Sequence, residues 1–459
     1  MTAAGSRVRA GASLAGIGTL LVASLLLTVL HVSGARIPAR AAIPTTPDLT
    51  AAQLASPAGA NWLTNGGSVS NDRYSSLGQV RAGNAAHLRG VWMTRLRGSG
   101  DGPQYSGESQ PLEDDGVIYI STGADDVFAV SVATGRILWQ YRAHIDPRVS
   151  PFVCCGWDNR GVAIGDGLVF LGRLDDQVVA LDQDTGRVVW HTRLANWRTG
   201  PTITAAPLFM DGRIYIGIVG AEYGVRSFLT ALDARTGRTI WRFYTTPAPH
   251  APGGNTWPRN GSYRHGGASI WSTPAYDPRT GILYFSTGNA GPDFYGGGRR
   301  GKNLFTSSIV AVHASTGRLA GWFQEVHHDI WDYDVPSPVV LFTARVRGRS
   351  VRGIAHPTKM GWLFLVGRAD RHGRARSLQP LYHSVREEPV PQNAAQRSWP
   401  TQPIPRHCCA FTPHGPVPAR VVRYFLRSRT PAMKLVPYRV SRRMYAPTAL
   451  DTMTIYAPD

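Results

Sequence analysis

Runs of apolar and aromatic residues, closed at both ends by turn formers, recur along the middle of the chain: "DGVIYIST" (115–122), "DGLVFLG" (166–172), "DGRIYIGI" (211–218) and "TGILYFSTG" (280–288). Runs of this length and composition predict short strands. Each is followed by a second run that ends in a shared pattern. "AVSVATGRILW" (129–139), "ALDQDTGRVVW" (180–190) and "ALDARTGRTIW" (231–241) start 51 residues apart, and "AVHASTGRLAGW" (311–322) is a fourth copy with one extra residue. The units read strand, turn, strand, then A-x-D-x-x-T-G-x-x-x-W. The Thr-Gly pair makes the turn, because glycine tolerates a positive φ. The Ala marks a place with little room, and the Trp is expected to cover the neighbouring unit. A period near 50 residues with four short strands per unit predicts an all-β fold, a β-propeller. By repeat count the chain reaches about six blades.

Composition agrees with many strands and tight turns: the 459 residues include 50 Gly, 33 Pro and 13 Trp. The formal net charge is +19, nearly all of it arginine, with lysine only at 302, 359 and 434. The arginine excess reads first as compositional bias of the genome, and second as a basic face suited to a membrane surface or an acidic electron acceptor; no nucleic-acid motif accompanies it. At the N-terminus, Arg7 and Arg9 precede 26 uncharged residues and the small-x-small site Ala39-Arg40-Ala41. That order predicts a signal peptide or N-terminal anchor over 1–41, hence an exported protein in the periplasm or on the outer face of the cell membrane. Residues 42–60 are expected to be a linker, and 61–459 the propeller domain.

Four cysteines stand in two adjacent pairs, Cys154–Cys155 and Cys408–Cys409. An adjacent pair cannot staple distant segments. On its own it reads either as two buried thiols or as a strained local disulfide.

With "NWLTNGGSVSNDRYSSLGQV" (61–80) and the tryptophan repeats, five further segments in order make the chain resemble the pyrroloquinoline quinone (PQQ)-dependent alcohol and sugar dehydrogenases. They are "CCGWDNRG", "GAEYGVR", "GGASIWSTPAYDPRTGILYFSTGN", "HHDIWDYDVPSP" and "TKMGWLFLVGRAD". The resemblance implies an eight-bladed propeller held by tryptophan docking motifs, of which this sequence holds about six blades and is expected to be C-terminally truncated. It implies that Cys154 and Cys155 form a disulfide whose sulfurs lie on one face of the quinone, with the Trp271 indole on the other. Arg160 is expected to pair with a cofactor carboxylate and Thr204 to hydrogen-bond the cofactor. Lys359 would contact the quinone oxygens, and Glu108 would lie near a cofactor carboxylate.

The same resemblance makes Glu222 and Asn289, with Asp332, the ligands of a Ca2+ ion, whose preference for oxygen donors suits that set. Asp332 is also the expected catalytic base. Asp334 stands two positions on, so in a strand the two carboxylates would share a face. An aspartate there accompanies lanthanide binding in some relatives; calcium is the reading adopted. His327, His328 and Asp329 could suggest zinc, but adjacent strand residues point oppositely, a poor arrangement for one ion. Val219 stands where relatives carry Ser or Asn. The vicinal cysteines follow the alcohol-oxidising branch, whereas Lys359 and the segment 386–405 follow the sugar-oxidising one. No C-x-x-C-H occurs in these 459 residues, so electrons are expected to pass to an external cytochrome c or a membrane quinone such as ubiquinone. The alternative is a non-catalytic PQQ-like propeller acting as a binding scaffold, or an inactive truncated remnant.

Overall fold

Each tryptophan repeat closes a run of four antiparallel strands, and in the fourth sheet a short fifth strand, Arg376–Ser377, adds in parallel at the edge. In the computed structural model, β1 (Leu112–Asp114), β2 (Val117–Ser121), β3 (Val127–Ser131) and β4 (Ile137–Tyr141) form the first sheet, paired in chain order. The second holds β5 (Val162–Gly165), β6 (Leu168–Gly172), β7 (Gln177–Asp182) and β8 (Val188–Arg193). The third holds β9 (Leu208–Met210), β10 (Arg213–Gly217), β11 (Phe228–Asp233) and β12 (Thr239–Tyr244). In the fourth, β13 (Ala275–Asp277), β14 (Ile282–Ser286), β15 (Ser308–His313) and β16 (Leu319–Gln324) repeat the order. A three-stranded sheet follows, made of β17 (Val340–Val346), β18 (Arg349–Pro357) and β19 (Leu363–Gly367). Described residues are 49–96, 108–346, 348–370, 376–381, 384–390 and 398–405, with strand backbone at 438–440, 443–447 and 453–456. The expected leader at 1–41 and the Cys408–Cys409 pair lie outside them.

The repeat residues explain why the sheets stack. Ala129, Ala180 and Ala231 are fully buried and sit opposite Trp139, Trp190 and Trp241 on the next strand. Each indole then reaches into the following sheet. Trp139 Nε1 donates to the Gln183 carbonyl, Trp190 to that of Ala234 and Trp241 to that of Ala314, each at 2.9 Å. The three acceptors occupy the same position of the repeat, three residues before its glycine. The glycine lies under the ring: a Cβ on Gly186, Gly237 or Gly317 would come within 2.5–2.6 Å of the docked indole. Those glycines have φ between 69° and 71°, a region that disfavours other residues. The Asp and Thr of the pattern tie the turn, as when Thr185 N and Oγ1 both donate to Asp182 Oδ1. The main core runs continuously from β5 to β16 through Phe170, Tyr215, Phe285 and Phe305.

A further docking residue lies ahead of the first sheet. Trp92 Nε1 donates to Val132 O at 2.7 Å, and its ring covers Gly135 as the later tryptophans cover theirs. Within the stretch expected as linker, Ala51–Ala55 forms a short helix capped by Thr50, and Leu54 is buried in the main core. Among the described residues, no helix is long and apolar enough to cross a membrane.

Candidate active site

The loops that enter the sheets, and those that join their inner strands, meet around one cavity of about 400 Å³. Cys154, Cys155 and Arg160 come from the connection into β5, and Thr204 from that into β9. Glu222 stands on a 3-10 turn, Ala221–Tyr223, between β10 and β11; Gly220 and Ala221 N–H groups hold that turn to Ser269 Oγ at 3.1 and 3.0 Å. Trp271 precedes β13, Asp332 and Asp334 precede β17, and Lys359 is in the turn between β18 and β19. All of the sequence-predicted site residues line this cavity except Asn289. Asn289 is buried just behind it, three residues past β14, with its N–H donating to Asp334 Oδ1 at 2.8 Å.

Cys154 and Cys155 are joined as a disulfide, their Cα atoms 3.8 Å apart, and both are exposed to the cavity rather than buried as thiols. Trp271 is packed against Gly288, where a Cβ would lie 2.7 Å from the indole. Gly288 therefore lets the ring settle on the backbone.

Two charged groups divide the site. At one, Arg160 Nη2 pairs with Glu108 at 2.6 Å, while Nη1 meets Asp158 at 2.7 Å and donates to Thr204 Oγ1 at 2.8 Å. Burial, together with the nearby Glu108 charge, pushes the Asp158 carboxyl up to about 7 in spite of Arg160. At the other, Lys359 Nζ lies 3.2 Å from Asp332 Oδ2 and 2.9 Å from Asp334 Oδ2. Burial raises Asp332 to about 8, with the Asp334 charge adding to the shift and Lys359 opposing it. Glu222 is pushed up to about 7, first by burial and then by Asp293 and Asp334. Asn289 Nδ2 donates to Asp293 Oδ1 at 2.7 Å. One ammonium thus faces four carboxyl groups in a poorly solvated place. A hard cation would relieve that surplus of negative charge.

The structure departs from expectation in two respects. Asp332 and Asp334 are not in a strand, since Asp332 has φ 62° and the segment bends; the carboxylates converge because Lys359 gathers them. Arg160 already carries two acids of its own, and Asp158 was not singled out from sequence. His327 and His328 have separate partners, Gln324 and Glu387 for one, Gly301 O and Asn303 for the other. They do not share a centre. Among the described residues no three carboxylate, imidazole or thiol groups form a metal-binding cluster by themselves, so a cation here needs the Asn289 amide as well.

The family profile described as glucose/ethanol/alcohol dehydrogenase, beta-propeller domain, matches residues 62–459. The chain is 34% identical over 324 residues to the quinoprotein alcohol dehydrogenase PedH of Pseudomonas putida, covering 67% of this chain and 53% of that protein. It is 34% identical over 333 residues to the dehydrogenase subunit of the quinone alcohol dehydrogenase of Gluconobacter oxydans, covering 67% and 43%. Among solved structures, a europium-containing methanol dehydrogenase matches with a TM-score of 0.63 at 28% identity over 71% of this chain and 58% of that one. The chain spans about half the length of these relatives. It belongs to the PQQ-type β-propeller family of glucose, ethanol and alcohol dehydrogenases.

Proposed function

We propose that this protein, exported from the cytoplasm, oxidises a primary or secondary alcohol, or a sugar hydroxyl, with PQQ as oxidant and a bound Ca2+. The observation that carries the reading is the single cavity that holds a sulfur plate, an indole, an arginine and an acid cluster together. Its volume, about 400 Å³, is within the range of small-molecule sites, roughly 300–1,000 Å³. Cys154–Cys155 and Trp271 would hold the flat faces of the cofactor. Arg160 and Thr204 would hold its polar edge, and Lys359 its quinone oxygens. Glu222, Asn289 and Asp332 would hold the cation. The Asn289 amide fits this role because its nitrogen is spent on Asp293, leaving the oxygen as donor.

When bound, PQQ would supply the hydride acceptor and the cation would supply Lewis acidity at it. The chain's own work is on the proton. Asp332, kept close by Lys359 and held ionised by the charge of the bound cation, would accept the hydroxyl proton of the substrate as general base. Trp271 and the disulfide, both lining the cavity, would cover the faces of the bound quinone and limit water there. Electrons then leave for an external cytochrome c or a membrane quinone.

The test is reconstitution with PQQ and CaCl2, following dye reduction with ethanol, glucose or polyvinyl alcohol. Dye reduction that needs both additions is expected, and Asp332→Asn should slow it by at least ~100-fold. A parallel series with LaCl3 decides the cation. No dye reduction and no cofactor absorbance retained through gel filtration would overturn the reading in favour of a binding scaffold.

A further inference from the structure

A buried acid–imidazole pair that the chemistry above does not use touches the segments that carry the acid cluster and Lys359. Glu325, the residue after β16, and His356, in β18, are both fully buried, with His356 Nδ1 3.0 Å from Glu325 Oε1 in an oblique contact. The other ring nitrogen, Nε2, is 2.8 Å from the Ser337 carbonyl oxygen. That oxygen can only accept, so Nε2 carries a hydrogen. Nδ1 then faces the carboxyl, and a bare Nδ1 against a bare carboxylate in a dry interior would be repulsive. One proton therefore sits between them, on Nδ1 or on the carboxyl.

The positions of these residues give the pair a purpose. Ser337 is three residues after Asp334, and His356 is three residues before Lys359. At one end the two segments are joined by the Asp332–Lys359 and Asp334–Lys359 ion pairs; at the other they are joined by His356 and Ser337. The segment enters β17, whose ladder with β18 begins at Val340 and Ala355; ahead of that ladder it is also held from the preceding sheet: Ser272 Oγ donates to Pro336 O at 2.5 Å, Ser286 Oγ to Ser337 O at 3.0 Å and Val335 N to Thr287 O at 3.3 Å. None of those three side-chain and backbone bonds reaches β18, the strand that leads into the Lys359 turn. His356 does.

We propose that His356, its ring orientation set by Glu325, is a positioning residue that fixes the separation between the Asp332–Asp334 segment and Lys359. The inference rests on the function proposed above, but the placement it describes is measurable without turnover. The Asn289 N–H donates to Asp334 Oδ1, so its exchange with solvent reports where Asp334 sits.

Two double variants, Glu325→Gln/His356→Gln and Glu325→Gln/His356→Leu, both remove the buried charges; the first keeps an N–H for Ser337 and the second does not. The expected result is similar melting temperatures, with Asn289 amide exchange roughly tenfold faster in the leucine variant only, the effect of one lost buried hydrogen bond. With PQQ and CaCl2 added, kcat should fall by a similar factor in the leucine variant with KM for the alcohol unchanged, and the glutamine variant should restore it. Equal exchange and equal kcat in the two variants would overturn the proposal. Should either fail to fold, nitrogen NMR of the histidine-labelled wild type decides: a hydrogen on His356 Nε2 supports the clamp, and a bare Nε2 removes it. Wild type that oxidises no alcohol, yet shows the exchange difference, defeats the proposed function and leaves the positioning role standing.

Discussion

The sharpest test of the architecture compares two glycines in one sheet. Gly281, in the turn between β13 and β14, has φ 66° and nothing within 4 Å of an added Cβ. Gly317, between β15 and β16, has φ 69°, and an added Cβ would lie 2.6 Å from Trp241 Cε3 of the preceding sheet. An alanine at either place bears the left-handed backbone penalty, about 1–2 kcal/mol. Only Gly317→Ala also forces a rigid indole off its seat, adding the ~1–3 kcal/mol of overpacking. Trp241 has little room to retreat, since its Nε1 is bonded to Ala314 O and its ring packs 5.9 Å from Tyr215. Gly281→Ala should therefore destabilise by about 1–2 kcal/mol and Gly317→Ala by about 2–5 kcal/mol. Urea unfolding followed by tryptophan fluorescence reads the difference as a shift in midpoint at constant slope. If the two variants unfold within about 0.5 kcal/mol of one another, the docked indole is not what couples these sheets.

Trp271→Ala removes one face of the proposed cofactor site, and PQQ binding followed by absorbance should weaken by at least ~10-fold, with the far-ultraviolet spectrum unchanged; undiminished affinity would place the cofactor elsewhere. Asp176 is buried, both its carboxylate oxygens are unpartnered, and burial with the neighbouring Asp175 raises it from 3.8 to about 8. Between those values the folded chain holds a proton that the unfolded chain has released, so stability falls as pH rises from about 4 to about 8. Asp176→Asn should abolish that slope, melting close to wild type near pH 4 and above it near pH 8; a constant gap at both ends would contradict the assignment.

The periodic part of the fold was legible because each repeat residue answers a local demand: Thr-Gly for the turn, Ala for a tight register position, Trp for the neighbour's glycine. Trp92 escaped because no Thr-Gly precedes it. Its signal was present nonetheless, since W-x-T-R-L at 92–96 repeats W-x-T-R-L at 190–194, and Thr94 bonds Gly135 O as Thr192 bonds Gly237 O. The site residues were legible one at a time through family motifs, but their mutual arrangement was not. Alternation suggested that Asp332 and Asp334 share a strand face, whereas a left-handed residue and a lysine from the β18–β19 turn bring them together. Asp158 lies two residues from Arg160 in a segment already singled out, yet nothing in that spacing says that it is buried against the guanidinium. Glu325 and His356 are 31 positions apart, and their pairing depends on how two successive sheets face one another.

Glu108 on Arg160 has a bearing on selectivity. The guanidinium arrives with a counter-ion from its own chain, and that counter-ion is the looser of the two, 40% exposed against 6% for Asp158. Stray phosphate or sulfate must displace a tethered carboxylate before it gains anything. A flat polycarboxylate such as PQQ, stacked on both faces as proposed, would face no such handicap, because stacking would supply what the exchange of one carboxylate for another does not. On the proposed function the tethered acid would work as a placeholder, admitting ligands by shape where charge alone would admit any anion.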